Sequence, residues 1–346
     1  IIKLTGTSPD RVVLGFMIAT ASISMWISNT ATTVVMLPIA SSVIALLMND
    51  ADGFTKRDQN FALSVMLGIA FSANVGGIAT IIGTPPNTVM IGFLESEYNI
   101  DIAFANWMAM AFPFSIMMIV VIYLALVKWI YPNHLSAIPN SKALIDNELA
   151  KLGPINVHEK RVLIVFIIAV FLWIFRTVIA QYISVLQFSD AGISMLAACA
   201  LFAVPLSFNK GEYILEWKDT EKLPWGILIL FGGGLALAAA LSDAGLVEMV
   251  GQTISGQKGA SLILITGILI AVMLFMTEMI GNLALVVIFS PVVAGIALGL
   301  DADLLHMLIP VTMASSCAFM LPMATPPNAI VFASGHIQVY QMVRVG

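Results

Sequence analysis

Apolar residues run along this chain in long blocks, without the alternation of a half-buried strand or the polar stripe of a helix on a water-facing domain. Crossing a bilayer takes ~20 mostly apolar residues. Six blocks, at 61–93, 106–130, 161–183, 190–208, 224–247 and 304–335, predict spans of that kind. Two more blocks are too long for one straight crossing. Residues 12–48 carry no charge over 37 positions, and residues 260–300 carry one, Glu278, over 41. Each has a polar break near its middle: Ser28-Asn29-Thr30 in the first, Thr277-Glu278 through Asn282 in the second. That pattern predicts a re-entrant helical hairpin, whose tip is tolerated only where it is buried in protein or lines a watery cavity. The expected fold is all-α and integral to a membrane.

Composition narrows the function. Of 346 residues, 60% are hydrophobic and 10% charged, against ~25% charged in a soluble domain. With 15 Lys and Arg beside 20 Asp and Glu, a water-facing surface cannot be covered. A soluble enzyme, a nucleic-acid binder and a disordered scaffold are excluded, and no basic stripe suggests nucleic acid as a partner. Cys199 and Cys317 sit in apolar runs and indicate neither a disulfide framework nor a metal site. Orientation follows from Lys and Arg, which favour the cytoplasmic side. If both long blocks return to the side they entered from, Lys3, Arg11, Lys56, Arg57, Lys128, Lys142, Lys151, Lys160, Arg161, Lys210, Lys218, Lys222 and Arg344 gather inside. That is 13 of the 15, with only Arg176 and Lys258 outside. Residues 131–160, with Pro132, Pro139 and Pro154 among mixed charges, read as a cytoplasmic linker between a first repeat, 1–130, and a second, 161–346.

The halves share motifs in the same order. ISNTATTVVMLP at 27–38 and IGNLALVVIFSP at 280–291 coincide without a gap at Ile27/Ile280, Asn29/Asn282, Ala31/Ala284, Val34/Val287 and Pro38/Pro291. GTPPN at 83–87 is answered by ATPPN at 324–328. The first hairpin enters from the inner side and the second from the outer, so the repeats are inverted. Inverted repeats with broken helices meeting near the midplane mark a secondary transporter.

The Thr-Pro-Pro-Asn motif suits that role. Proline has no backbone N–H, so Pro85-Pro86 leave the carbonyls of Ile81 and Ile82 without helical partners, and Pro326-Pro327 do the same to Pro322 and Met323. Free carbonyls suit a hard cation, and the helix restarting beyond the prolines presents its positive end to an anion. Ser28, Asn29 and Thr30 offer neutral donors and acceptors at the facing tip, with Ser24 one turn before Ser28 on the same helix face.

ISNTATT, the paired TPPN motifs and SSCAFMLPMATPPNAIVF at 315–332 resemble the divalent anion/sodium symporter family over nearly the whole chain. The resemblance implies symport of Na+ with di- or tricarboxylates such as succinate, by alternating access, in a multi-pass protein of the cell (inner) membrane that works as a homodimer. It implies a first sodium held by Ser24, Ser28, Asn29 and Gly83. A second is implied at Thr277, the backbone of Ile280, Asn282 and the backbone of Ala324. The substrate between them touches Asn29, Thr30, Thr84, Asn282 and Thr325. Against that family, a chain running from Ile1 to Gly346 is expected to be a fragment lacking the initial helices, which resemble a dimerisation scaffold, and the final helix after Arg344.

One motif departs from the family. Where its second tip reads Ser-Asn-Thr, this chain has Gly281-Asn282-Leu283. Two hydroxyls are missing where one carboxylate would bind, which leaves a larger or partly apolar acid, or a tetrahedral anion such as sulfate, in contention with succinate. Sodium-independent anion exchange and a transporter-like sensor compete with symport as the activity of the whole chain. An enzyme is not expected: HExxH, GxSxG with a His, and paired aspartates are all absent. Glu278, an acid inside a hairpin, is a functional candidate by default, as a proton carrier or part of a cation site. Its repeat partner is Met25, which favours plain hydrogen bonding within the hairpin instead. Gly232-Gly233-Gly234, beside Ala236 and Ala238 to Ala240, reads as close helix packing. His306 and His336 lack metal-ligand spacing.

Overall fold

A computed structural model describes residues 8–48, 55–135, 150, 153–182, 189–207, 212–223, 225–245, 249 and 261–346. Each long apolar block is two helices rather than one rod. The first holds α1 (Pro9–Ser24) and α2 (Asn29–Met48). Then come α3 (Lys56–Ile78), α4 (Pro85–Tyr98), α5 (Phe104–Leu124, continued by a π-helical turn, Ala125–Ile130), α6 (Val157–Tyr182) and α7 (Asp190–Ala203). After α8 (Trp225–Asp243), the second long block holds α9 (Leu262–Thr277) and α10 (Asn282–Gly299). The chain closes with α11 (Leu304–Ser315), α12 (Pro326–Ala333) and α13 (Val339–Val345). Among the described residues, α3, α5 with its π turn, α6 and α10 are each long and apolar enough to cross a membrane.

Among the described residues the fold is all-helical as expected apart from one short strand pair, and the span expected at 190–208 is shorter. Helix α7 stops at Ala203 rather than 208, because the residue before a proline is driven out of the helical region. Val204 accordingly has ψ 112. Pro205–Ser207 (β1) then pairs antiparallel with Glu212–Tyr213 (β2), and Arg161 donates to the Pro205 carbonyl.

The two long blocks break alike. Four residues separate the helices in each, 25–28 and 278–281. Trp26 and Ile27 N–H both reach the Ile23 carbonyl, at 3.0 Å each. In the second block Met279 and Ile280 N–H reach Met276, at 3.0 and 2.9 Å. Pro38 and Pro291 lie inside the returning helices.

Lipid tails are as apolar as leucine, so helices in a membrane associate through close packing and small residues rather than through escape from water. Helix α1 lies along α3 with Val13 and Met17 against Gly68, and Ala21 against Gly76. A Cβ at Gly76 would come within 2.5 Å of the Ala21 carbonyl oxygen. Helices α1 and α2 pack on α3, while α9 and α10 pack on α11. The short helices cross over: α4 packs on α10 and α11, and α12 on α2 and α3. Each buried core is therefore mixed. One gathers Phe16, Phe61 and Phe71 with Phe319 and Val331, the other Ile78, Met90 and Trp107 with Leu285 and Met307. Of the three glycines at 232–234, only Gly234 is closely packed; its Cβ would meet Val287 Cγ1 at 2.3 Å, while Gly232 and Gly233 face open space.

Polar contacts tie the helix ends. Asp10 at the start of α1 pairs with Lys128 at 2.6 Å and accepts from Asn133 at 3.0 Å. Asn60 in the first turns of α3 donates to Pro132 O, and the Tyr131 hydroxyl donates to Gln341 O. At the other end of α5, Arg176 pairs with Asp101 at 2.9 Å and Asp190 at 3.3 Å, and Asp190 accepts from Phe104 N. Of the linker expected at 131–160, residues 136–149 and 151–152 lie outside the described residues.

Candidate functional site

The site is built around the two Thr-Pro-Pro-Asn segments. Thr84 and Thr325 are extended, at φ −144, ψ 138 and φ −140, ψ 151, as the following proline requires. The prolines open α4 and α12, where their missing N–H groups cost nothing. The asparagine then reaches back across the break. Asn87 Nδ2 donates to the carbonyls of Gly77, Ile78 and Thr80 at 3.3, 3.3 and 2.8 Å. Asn328 Nδ2 donates to Ala318 and Leu321 at 3.0 and 3.1 Å. Offsets of ten and seven residues recur in both. Carbonyls left open before each break are thus tied within the protein by the motif's asparagine. Ile81 O, expected to be free, accepts from the Thr88 hydroxyl at 3.0 Å.

At the first break, oxygens converge. The Ser24 hydroxyl donates to Ala73 O at 2.7 Å. With its amide nitrogen turned toward them, Asn29 lies 2.8 Å from Ser24 Oγ, 3.0 Å from Ala73 O and 3.3 Å from Gly83 O. Turned the other way, Asn29 adds its own oxygen to a set of four. Two glycines make the room: a Cβ at Gly77 would fall 2.4 Å from Asn29 Oδ1, and one at Gly83 would fall 2.4 Å from Gly77 O. Ser24, Asn29 and Gly83 meet here. Ser28 does not share a helix face with Ser24, because α1 ends at Ser24. Ser28 is exposed, and its hydroxyl accepts from Ala31 N. Thr30 is exposed, while Thr84 is buried and makes no side-chain capping bond. Thr80 fastens the break, donating to Met25 O at 2.5 Å and accepting from Gly83 N at 3.1 Å.

The second break is fastened differently. The position equivalent to Thr80 is Leu321, which has no hydroxyl, and the position equivalent to Met25 is Glu278. The buried Glu278 carboxylate accepts from Phe319 N and Met320 N on Oε1, at 2.7 and 2.9 Å, and from Leu321 N on Oε2 at 2.8 Å. Its partners therefore lie on the facing segment, not within its own hairpin. Thr277 donates to Ser315 O at 2.7 Å. A cavity of 460 Å³ opens beside this break, with Gly281, Asn282, Leu283, Ala324 and Thr325 among its walls. Thr277, Ile280, Asn29, Thr30 and Thr84 are not among them. Asn282 turns its side-chain oxygen to Leu283 N at 2.9 Å. Ile280 is exposed at 38%.

Sequence reasoning passed over Ala73 and the two asparagines of the motif. Ala73 acts through its carbonyl and leaves no side-chain signal. Asn87 and Asn328 carry one: a primary amide just past the prolines is a near donor for the carbonyls left open before the break.

Comparison with known proteins gives a consistent result. Residues 1–346 match the family described as the sodium:sulfate symporter transmembrane region. The sodium-dependent dicarboxylate transporter SdcS of Staphylococcus saprophyticus is 36% identical over 350 residues, covering 100% of this chain and 67% of that protein. The transporter of the same name from Staphylococcus aureus is also 36% identical, with the same coverage.

Proposed function

This chain belongs to the sodium:sulfate symporter transmembrane family, and from that premise we propose that it is a secondary transporter in which sodium drives uptake of a dicarboxylate by alternating access. It is a transporter rather than an enzyme, and a multi-pass membrane protein. The observation that carries the reading is the pairing of breaks: each helix-pair tip abuts the break of a neighbouring broken helix. Ser24, Asn29, Gly83 and the Ala73 carbonyl offer sodium a shell of oxygens, the ligands a hard cation takes. In the same reading the second ion is held around Thr277, Ile280, Asn282 and Ala324, with Ser28 completing the first set as the site closes. Asn29, Thr30, Thr84, Asn282 and Thr325 then contact the anion, helped by the positive ends of α4 and α12.

The re-entrant reading of the first helix pair is supported by the ends of the elements. Helices α1 and α3 begin at the end marked by Asp10, Lys128 and Asn133, and their other ends meet at Ser24 and Ala73. A dicarboxylate brings about two negative charges, and no lysine or arginine is needed to balance them if sodium ions travel with it. Arg176 is already held by two carboxylates. The full-length protein is expected to work as a homodimer in the cell (inner) membrane.

The test is uptake of radiolabelled succinate into proteoliposomes holding the purified full-length protein. An inward sodium gradient should drive accumulation, with larger acids and sulfate as competitors ranking the substrate. Uptake that ignores sodium and requires an anion inside the vesicle would establish exchange and overturn symport.

A further inference from the structure

Thr325 stands at the cavity wall beside Asn282 and Leu283, and its hydroxyl is held by a residue of the first half of the chain. Asn74, in the last turns of α3, donates from Nδ2 to Thr325 Oγ1 at 3.0 Å, across 251 positions of sequence. Both side chains are buried, Asn74 at 1% and Thr325 at 3% exposure. The same Thr325 oxygen accepts a longer bond from Asn328 N, at 3.5 Å. A hydroxyl oxygen has two acceptor positions and one hydrogen to give. Here both acceptor positions are taken by donors, and no described residue accepts the hydrogen. What remains is a donor at the edge of the cavity, and a donor is what an anion needs.

The counterpart of Thr325 is not arranged this way. Thr84 makes no capping bond, and the residue equivalent to Asn74 is Ser315, whose hydroxyl turns back to Thr312 O at 2.7 Å. The asymmetry coincides with the tip that lacks hydroxyls, since Gly281 and Leu283 flank Asn282 there. With those groups absent, the burden of donating to an anion at this end falls on fewer side chains, Thr325 among them.

We propose that Asn74 is a positioning residue for the anion, holding Thr325 so that its hydroxyl serves as a donor to a substrate carboxylate in the 460 Å³ cavity. The proposal rests on the dicarboxylate reading above and adds the residue that sets the polarity of one end of the site. Its neighbour Ala73 carries the carbonyl that Ser24 bonds at the first break. One turn of α3 thus touches both breaks, and damage to that turn would disturb both.

A double-mutant cycle tests this in the purified full-length protein, with succinate binding measured in saturating sodium and sodium binding measured alone. Asn74→Ala should weaken succinate binding on the order of tenfold, as expected when a donor to a charged group is lost. Thr325→Val should do at least as much. The double variant should bind no more weakly than Thr325→Val alone, because both changes remove one interaction. Sodium binding at the first break should stay within about threefold, less than one hydrogen bond's worth. Should Asn74→Ala fail to fold, Asn74→Ser, one bond too short to reach Thr325, takes its place in the cycle. Additive losses, or loss of sodium and succinate binding alike, would show that Asn74 merely supports α3 and would overturn the proposal. So would unchanged succinate affinity in Asn74→Ala. A parent protein that binds sodium but no dicarboxylate would instead defeat the substrate reading, which the variants do not touch.

Discussion

Glu278→Gln asks whether the second break is held by charge. Both oxygens of Glu278 act as acceptors, the pattern of a carboxylate, and they take the N–H groups of three successive residues at 2.7, 2.9 and 2.8 Å. Glutamine keeps one acceptor oxygen and points an NH2 group at the remaining donor. A hydrogen bond to a charged group contributes ~1.5–3 kcal/mol and a neutral one ~0.5–1.5 kcal/mol. Two surviving bonds therefore lose roughly 1 kcal/mol each, and the stranded N–H costs ~1–3 kcal/mol. Part of this is offset because an amide is cheaper to bury than a carboxylate, leaving a loss of about 2–3 kcal/mol. Thermal unfolding of the purified protein in sodium should shift down by roughly 5–10 °C, at ~2–4 °C per kcal/mol. Because Leu321 lies three residues before Ala324, succinate affinity should fall in parallel. A variant that melts within about 1 °C of the parent, well under the shift for one kcal/mol, and binds succinate equally well would refute the argument that Glu278 is a clamp.

Other substitutions probe separate links. Gly77→Ala should lower apparent sodium affinity in uptake assays on the order of tenfold, equal to ~1.4 kcal/mol, because its Cβ occupies the place of Asn29 Oδ1. Asn328→Ala strands the buried Ala318 carbonyl and removes one of two donors from Leu321 O; it should cost about 2 kcal/mol of stability by the same melting assay, and Asn328→Asp, which cannot donate, should not rescue it. Leu283→Thr adds a hydroxyl on the cavity wall and should shift competition toward succinate over bulkier acids; an unchanged rank order would count against a carboxylate at that wall. Burial raises the Tyr131 phenol above its ordinary 10.0, so its contribution to stability is present below that pH and fades as pH climbs through the folded value. Tyr131→Phe should flatten the alkaline fall in melting temperature.

Residues whose side chains carry a local signal were legible in the sequence. Asn29 and Asn282 announce themselves as amides in apolar runs, and the structure starts a helix at each. The prolines fix the starts of α4 and α12 through their missing N–H groups. The errors came from reading one helix at a time. Ser24 and Ser28 share a face only if α1 continues, yet the helix ends at Ser24 and the tip carries Ser28 into the open. The repeat alignment favours bonding of Glu278 within its own hairpin, but its donors are backbone groups 41 to 43 positions away. Backbone partners have no residue type to recognise. The apolar run continues through Pro205 to 208, but the proline ends α7 five residues earlier, at Ala203.

The two fastenings suggest how a duplicated architecture tolerates unequal sequence. In the first half, a threonine hydroxyl on the broken helix bridges the tip carbonyl of Met25 and the amide of Gly83. In the second, the broken helix has lost its hydroxyl at Leu321, and the tip has acquired a carboxylate that serves three amides. Each break presents backbone groups that must find partners in a medium offering none, so the side chain is free to come from either partner but not to be absent. An acid inside an apolar block thus serves as a backbone partner. Two kinds of asymmetry are distinct here. At Met25/Glu278 and Thr80/Leu321 the chemistry differs and the job is kept. At Ser28/Gly281 and Thr30/Leu283 hydroxyls are lost at the tip itself, and the donor that remains across the cavity, Thr325, is oriented from the opposite half by Asn74. The first kind preserves the scaffold; in the proposed reading, the second is where discrimination among anions arises.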